Sequence, residues 1–300
     1  MRNFQELIHS VKGKGKKNCV VVKAEDETVL DALRIAQHHG LIEPVLYGNK
    51  ENIIKHAKNV HLDISKIIIH DVPDENEAMH QATLMVKQEG DFIMKGLLST
   101  TVFLKGILNK DWGLRTGKIL SHIAVLSIPG YHKLLFMSDG GMNPKLDLKT
   151  RIDIINNAIE TLKALGISKP KIALVAASET VNPDMPETTD AIQIVEMARA
   201  GQISDCIIDG PFGFDVAISK NAAEHKKIVS EIAGDTDFIL MPNISAANIW
   251  AKGLMFFANT KGAGMVAGAM RPVIMLSRAD DAETKLNSIA LGVAISAANK

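Results

Sequence analysis

Short, continuously apolar runs alternate with amphipathic stretches along almost the whole chain, and this rhythm constrains the fold more than any other feature. Apolar runs at residues 18–24, 44–47, 66–70, 91–94, 122–127, 134–138, 171–177, 205–209, 237–241 and 273–277 read as strands. Between them, residues 27–37, 51–58, 76–88, 100–109, 148–165, 187–200, 214–225, 246–258 and 282–298 carry helical spacing of apolar positions. Gly40, Gly166 and Gly201 stop three of these helices. Strands buried on both faces, separated by helices, require parallel sheets covered by helices on either side. The join Ile128-Pro129-Gly130-Tyr131 is too short for a crossover, so it predicts one antiparallel hairpin within this α/β class.

With 300 residues the chain is long enough for two domains. Lys+Arg and Asp+Glu both number 34, and aromatics make up only 4%, so neither a basic field nor base stacking favours nucleic acid. No apolar run suits a signal peptide or a membrane span. Cys19 and Cys206 both fall in expected strands, and one such pair makes no disulfide framework. A cytoplasmic protein with buried, inert thiols is expected. The segment Gly140-Gly141-Met142-Asn143-Pro144 is the nearest thing to a linker.

Polar residues cluster where strands end. Met270-Arg271-Pro272-Val273-Ile274-Met275-Leu276 runs straight into Ser277-Arg278 and then Asp280-Asp281-Ala282-Glu283. In α/β proteins the carboxyl ends of strands face the ligand, and arginine beside serine suits a phosphate-like anion. The competing reading makes Ser277 a helix cap and Arg278 a solvated charge. Lys95-Gly96-Leu97-Leu98-Ser99-Thr100-Thr101 likewise ends a strand and opens a helix, an arrangement suited to an anion or to ordinary capping. Ser138-Asp139-Gly140, Ala177-Ser178-Glu179-Thr180, Asp209-Gly210-Pro211-Phe212 and Pro242-Asn243-Ile244-Ser245 follow four more strands. The glycine-rich stretch from Lys261 to Gly268 follows a helix and lacks dinucleotide spacing. The Lys12-Gly13-Lys14-Gly15-Lys16-Lys17 run has no P-loop order. There is no Gly-x-Ser-x-Gly elbow and no zinc-ligand spacing, so no metal site is expected.

Taken in order and spacing, several of these motifs resemble the phosphate acetyltransferase and phosphate butyryltransferase family, with the butyryltransferase branch the nearer. The resemblance rests on Lys95-Gly96-Leu97-Leu98-Ser99-Thr100-Thr101, Gly113-Leu114-Arg115-Thr116-Gly117, Ser138-Asp139-Gly140-Gly141-Met142-Asn143, Asp209-Gly210-Pro211 with Phe214-Asp215, Pro242-Asn243-Ile244 with Asn248-Ile249, and Leu276-Ser277-Arg278. It covers essentially the full chain. It implies two three-layer α/β/α domains with mostly parallel sheets and a cleft between them, resembling the isocitrate and isopropylmalate dehydrogenase-like fold. Domain 1 would hold residues 1–144 plus 271–300, and domain 2 residues 145–270. A homodimer is the oligomer implied.

The resemblance further implies reversible acyl transfer between coenzyme A, as substrate, and orthophosphate, with no bound metal or organic cofactor. Arg278 would stabilise phosphate and the developing oxyanion, and Ser277 would hydrogen-bond the thiol or phosphate without becoming acylated. In the acetyltransferase branch an aspartate base lies seven positions after the serine. Thr284 stands there in this chain, which leaves Asp280, Asp281 and Glu283 as rival candidates. Ser99, Thr100, Lys105, Arg115, Asn243 and Asn248 would bind phosphate or coenzyme A, Lys105 standing where that branch has an arginine. Leu97, Leu98, Met142 and Phe212 are candidates for the acyl pocket, with core packing as the alternative. The competing activities are transfer of acetyl rather than butyryl, an isocitrate-dehydrogenase-like oxidative decarboxylation, and non-catalytic acyl-CoA binding.

Overall fold

A computed structural model describes residues 1–298. In chain order the elements are α1 (Phe4–Val11), β1 (Lys17–Val22), α2 (Glu27–His38), β2 (Ile42–Gly48), α3 (Lys50–Asn59), β3 (Ile68–Asp71), α4 (Glu75–Gln88), β4 (Phe92–Lys95) and α5 (Thr100–Ile107). There follow β5 (Ser121–Ser127), β6 (Leu135–Ser138), α6 (Leu148–Ala164), β7 (Lys171–Val175), α7 (Pro186–Arg199), β8 (Ile207–Phe212), α8 (Phe214–Ile218), α9 (Lys220–His225), β9 (Phe238–Leu240), α10 (Ile244–Phe257), β10 (Lys261–Ala267), β11 (Val273–Ile274) and α11 (Ala282–Ala298). The chain forms two compact units. A terminal unit holds Phe4–Lys118 and the described residues from Ala263 to 298; a central unit holds Ile119–Gly262 and the first three residues.

In the terminal unit the strands lie in the order β3-β2-β1-β4-β11-β10, all parallel except β10, which runs antiparallel to β11. The chain moves outward from β1 to β2 to β3, then returns to the other side of β1 as β4. Right-handed crossovers therefore place α2 and α3 on one face and α4 on the other. Side-chain caps fix the starts of four of these helices: Asp26 for α2, Asn49 for α3, Asp74 for α4 and Ser99 for α5. Helix α11 is buried along nearly its whole length, the polar Thr284, Asn287 and Ser288 included, and it packs on α1 and α2.

In the central unit the order is β5-β6-β9-β7-β8, with β5 antiparallel to β6 and the rest parallel. Alternate strand residues face one way: Leu135 and Met137, Ala173 and Val175, and Ile239 and Met241 pack with Val216, Ala217, Ala223 and Ala247 of α8, α9 and α10. The strand starts are tied together by acids. Asp237 accepts the Lys171 backbone N–H at 2.8 Å and the Lys133 ammonium at 2.6 Å. Asp235 pairs with Lys171 at 2.7 Å and hydrogen-bonds His132 at 2.8 Å.

The mostly parallel α/β class and the 121–138 hairpin agree with the sequence reading. Five details differ. Helix α1 was not expected; it is short, but Phe4, Leu7 and Val11 supply a buried face. The glycine-rich stretch after α10 is strand β10, where the buried Ser288 hydroxyl accepts the Gly264 N–H at 3.0 Å. The helix expected over 214–225 breaks at Ser219, which is extended and caps α9. Strand β11 ends at Ile274, because its partner β4 turns away at Gly96. Cys206 stands just before β8 and is half-buried, whereas Cys19 is fully buried within β1. The two compact units are bounded at 118/119 and 262/263. Segment 119–144 carries the hairpin that pairs with β9, and β10 pairs with β11.

Candidate active site

The terminal unit reverses its strand order between β1 and β4, and in an open parallel sheet that point is where a crevice forms beyond the carboxyl ends. The two loops leaving there are clamped together. The Gly96 and Leu97 backbone N–H groups donate to the Val22 and Lys23 carbonyls at 2.8 and 2.6 Å. A β-carbon on Gly96 would lie 2.0 Å from the Lys23 carbonyl oxygen, so the approach admits glycine alone. Lys23 takes the left-handed conformation, φ 58°, and its ammonium joins Glu25 at 2.7 Å and the Pro73 carbonyl at 2.8 Å.

Four charged groups gather around this point. Lys95 closes β4 and is only 6% exposed, its ammonium donating to the Gly96 carbonyl at 3.2 Å. Burial holds its pKa below the ordinary lysine value, and the charges of Arg278 and Lys285 push the same way, against Asp26 and Glu75. Lys285, on the second turn of α11, is 3% exposed, and burial lowers it too, opposed by Asp26, Asp280 and Asp281. Its ammonium donates to the Asp280 carbonyl. For Asp26, burial raises the carboxyl, but hydrogen bonds from Thr28 and Val29 and the Lys285 charge outweigh it. Two members of this group, Lys285 and Asp26, belong to no motif. The available signal was a lysine near the start of a helix that is largely apolar further on.

Ser277 and Arg278 leave the same edge beyond β11 and are exposed. They form a turn: Asp280 accepts the Ser277 N–H at 2.8 Å, and the Ser277 hydroxyl accepts the Ala279 N–H at 3.3 Å. Ser277 therefore caps no helix. Asp281 does, its carboxylate accepting the Thr284 N–H at 2.8 Å. Glu283 is exposed in the first turn of α11, and Thr284 is buried. No histidine or carboxylate is hydrogen-bonded to the Ser277 hydroxyl among the described residues.

Ser99 caps α5 through a 3.1 Å bond from the Val102 N–H, and Thr100 stands exposed at the helix start, so both lie at the carboxyl edge. Lys105 is exposed in the last turn of α5, about 9 Å along the axis from Ser99. Arg115 is not brought to the group. Its backbone bridges Ala269, beside the start of β11, which puts it at the opposite edge of the sheet from Arg278.

In the central unit the motif residues are largely occupied by local structure. Asn243 caps α10, accepting the Ala246 N–H at 2.9 Å, and the Asn248 amide donates to the Gly140 carbonyl at 3.0 Å. Asp139 is fully buried, and accepts the Gly141 and Met142 N–H groups, each at 2.8 Å, and the Asn143 amide at 2.6 Å. Lys226 ties Glu179 to Asp215 at 2.6 and 2.9 Å. Of the acyl-pocket candidates, Leu98 and Phe212 are buried, Phe212 in the core under α8; Met142 is half-buried and Leu97 exposed.

A strand edge carrying serine, arginine and two buried lysines can orient an anion and stabilise negative charge developing on an acyl carbonyl. Among the described residues no helix is long and apolar enough to cross a membrane. The profile of the family described as phosphate acetyl/butaryl transferase matches residues 3–82 and 74–293. The chain is 41% identical to the phosphate butyryltransferase of Clostridium beijerinckii over 300 residues, covering 100% of this chain and 99% of that one. It is 38% identical to the phosphate acetyltransferase of Thermotoga maritima over 288 residues, 96% of this chain and 98% of that one. A branched-chain phosphotransacylase from Enterococcus faecalis V583 superposes with a TM-score of 0.84 at 27% identity, covering 93% of this chain and 99% of that chain. With a profile match over nearly its whole length and relatives matched end to end, the chain belongs to the phosphate acetyl/butaryl transferase family.

Proposed function

We propose that the protein catalyses butyryl-CoA + phosphate = butyryl phosphate + CoA, by direct transfer within a ternary complex. The observation that carries this reading is the end-to-end match to a phosphate butyryltransferase, joined to the Ser277-Arg278 turn at the carboxyl edge of the terminal unit. A phosphate oxygen attacks the thioester carbon, the carbonyl oxygen gains negative charge, the C–S bond breaks, and the thiolate leaves and takes a proton. Arg278 offers a planar fork of donors to the phosphate and the oxyanion. The Ser277 hydroxyl, with its proton free to donate, hydrogen-bonds the sulfur or the phosphate. The absence of a base on that hydroxyl, among the described residues, favours direct transfer over an acyl-serine. Asp281 is committed to capping α11, so Asp280 and Glu283 are the stronger candidates for moving the thiol proton.

Ser99 and Thr100 at the α5 start are assigned to phosphate, whereas Lys105, Arg115, Asn243 and Asn248 hold lesser claims because of where they lie or what they already bind. Coenzyme A enters as substrate. The free thiols of Cys19 and Cys206, with burial pushing the latter up to about 11, fit a reducing cytoplasm. Ile249, Phe256 and Phe257 on α10 are 71%, 78% and 93% exposed, and such a patch suits a second copy of the chain in a homodimer.

Replacing Arg278 by Ala is expected to lower kcat roughly 100- to 1,000-fold with the thermal melt unchanged, and Lys to restore only part of it. Ser277→Ala should slow the reaction without abolishing it, and mass spectrometry after mixing with butyryl-CoA should find no acyl adduct. A trapped ester on Ser277, or wild-type rates in the Arg278→Ala enzyme, contradicts the mechanism.

Burial of a methylene contributes about 0.8 kcal/mol and enzyme pockets discriminate by roughly 1–3 kcal/mol per methylene. Two further methylenes, together about 1.6 to 6 kcal/mol, should therefore favour butyryl-CoA over acetyl-CoA about 10- to 10,000-fold in kcat/KM. Measurement across acetyl-, propionyl-, butyryl- and hexanoyl-CoA tests this, and a maximum at acetyl overturns it.

For the homodimer, Phe256→Asp with Phe257→Asp should convert a sedimenting dimer to monomer. A wild-type monomer in the same run removes the proposal.

A further inference from the structure

Lys95 and Lys285 are buried lysines that make no ion pair among the described residues, in contrast to buried Lys17, which has Asp91 at 3.8 Å. An ammonium has three donors. Among the described residues each of these two has a single acceptor, the Gly96 carbonyl for Lys95 and the Asp280 carbonyl for Lys285. Burying a charge with so little compensation destabilises a fold, and buried charges are ordinarily paired. Two of them beside a third cation, Arg278, compound the cost by mutual repulsion.

The nearby acids offset part of this charge, but none of them accepts a hydrogen from either ammonium. Asp26 acts on both lysines at a distance, but its carboxylate is engaged by the Thr28 hydroxyl at 2.6 Å and the Val29 N–H at 2.8 Å. Glu75 acts weakly on Lys95, and Asp280 and Asp281 act on Lys285 while bonded to the Ser277 and Thr284 N–H groups. A dianion placed here would supply acceptors for the spare donors and cancel the repulsion at once. The α5 N-terminus opens at the same strand end and has the sign that favours negative charge.

We propose that Lys95 and Lys285 bind the phosphoryl oxygens of orthophosphate in one direction and of the acyl phosphate in the other, with Arg278 as the third cation. This rests on the acyl-transfer reading and names the residues that hold its smaller substrate. The other source of the same chemistry is the phosphate groups of coenzyme A. A bound phosphate dianion also opposes the lowering of Lys95 by burial and by the neighbouring cations, so the loaded enzyme keeps this lysine charged to higher pH than the free one.

The experiment compares wild type with Lys95→Met, Lys285→Met and Lys95→Arg. Melting temperatures are read in phosphate-free buffer, with orthophosphate and with coenzyme A, and KM is measured for phosphate and for butyryl-CoA. Lys95→Met is expected to melt at or above wild type without phosphate, because an unpaired buried charge has gone. It should lose most of the phosphate-induced rise in Tm and raise KM for phosphate roughly 10- to 100-fold, the value of a hydrogen bond to a charged group, with KM for butyryl-CoA unchanged. Lys95→Arg should recover part of both. Should Lys285→Met fail to fold, the two Lys95 variants decide the matter. A Lys95→Met protein that melts below wild type and keeps its phosphate response overturns the proposal, since the lysine is then structural. A variant that loses the coenzyme A response and keeps the phosphate response overturns it in favour of the other source. A wild type that transfers no butyryl group to phosphate sinks the reaction reading, while the phosphate melting series still judges the lysines.

Discussion

The parallel ladder between β1 and β4 is the contact on which the terminal unit is arranged. Because the chain turns back on itself at this pair, the loops after β1 and β4 leave the same edge side by side, and the Gly96 N–H closes them together at 2.8 Å. That closure has consequences beyond the ladder. It ends β4 at Lys95, which strands β11 without a partner after Ile274 and releases the chain into the Ser277-Arg278 turn. It also sets where α5 begins, since Ser99 caps that helix three residues after Gly96. One close backbone approach thus delivers a lysine, a helix start and an arginine to a single strand edge.

That edge gathers Lys95, Lys285 and Arg278, with acids beside them, in a protein whose formal net charge is +0. Long-range steering by the molecule as a whole is therefore absent, and selectivity for an anion has to come from local donors and desolvation. Desolvation is what the burial of Lys95 and Lys285 supplies. Fixed donors held by buried lysines act on a developing oxyanion without first having to reorganise, which is why such sites accelerate acyl transfer. The same burial makes the two lysines costly to fold. Stability is given up at the place where binding recovers it.

The architecture was legible in the sequence because continuous apolar runs and helical spacing report burial directly. The helix expected over 27–37 is found at Glu27–His38, and the strand expected over 122–127 at Ser121–Ser127. Features that depend on partners were not legible. A glycine-rich stretch is strand β10 because β11 lies beside it, and the run through Leu276 stops being a strand because β4 has left. The site was legible in the same uneven way. Ser277, Arg278, Ser99 and Thr100 follow strands and could be placed by counting. Arg115 has the right chemistry but is carried by α5 to the far edge, and Lys285 sits a turn inside a helix, where no strand-end rule reaches.

The central claim is that the carboxyl edge of the terminal unit holds a phosphoryl group between two buried lysines and Arg278. A crystal structure of the wild-type protein grown with orthophosphate tests it most directly. A tetrahedral anion within hydrogen-bond reach of the Lys95 and Lys285 ammonium groups and the Arg278 guanidinium is the expected result. An anion bound elsewhere, with both ammonium groups satisfied by water or by carboxylates, would contradict it.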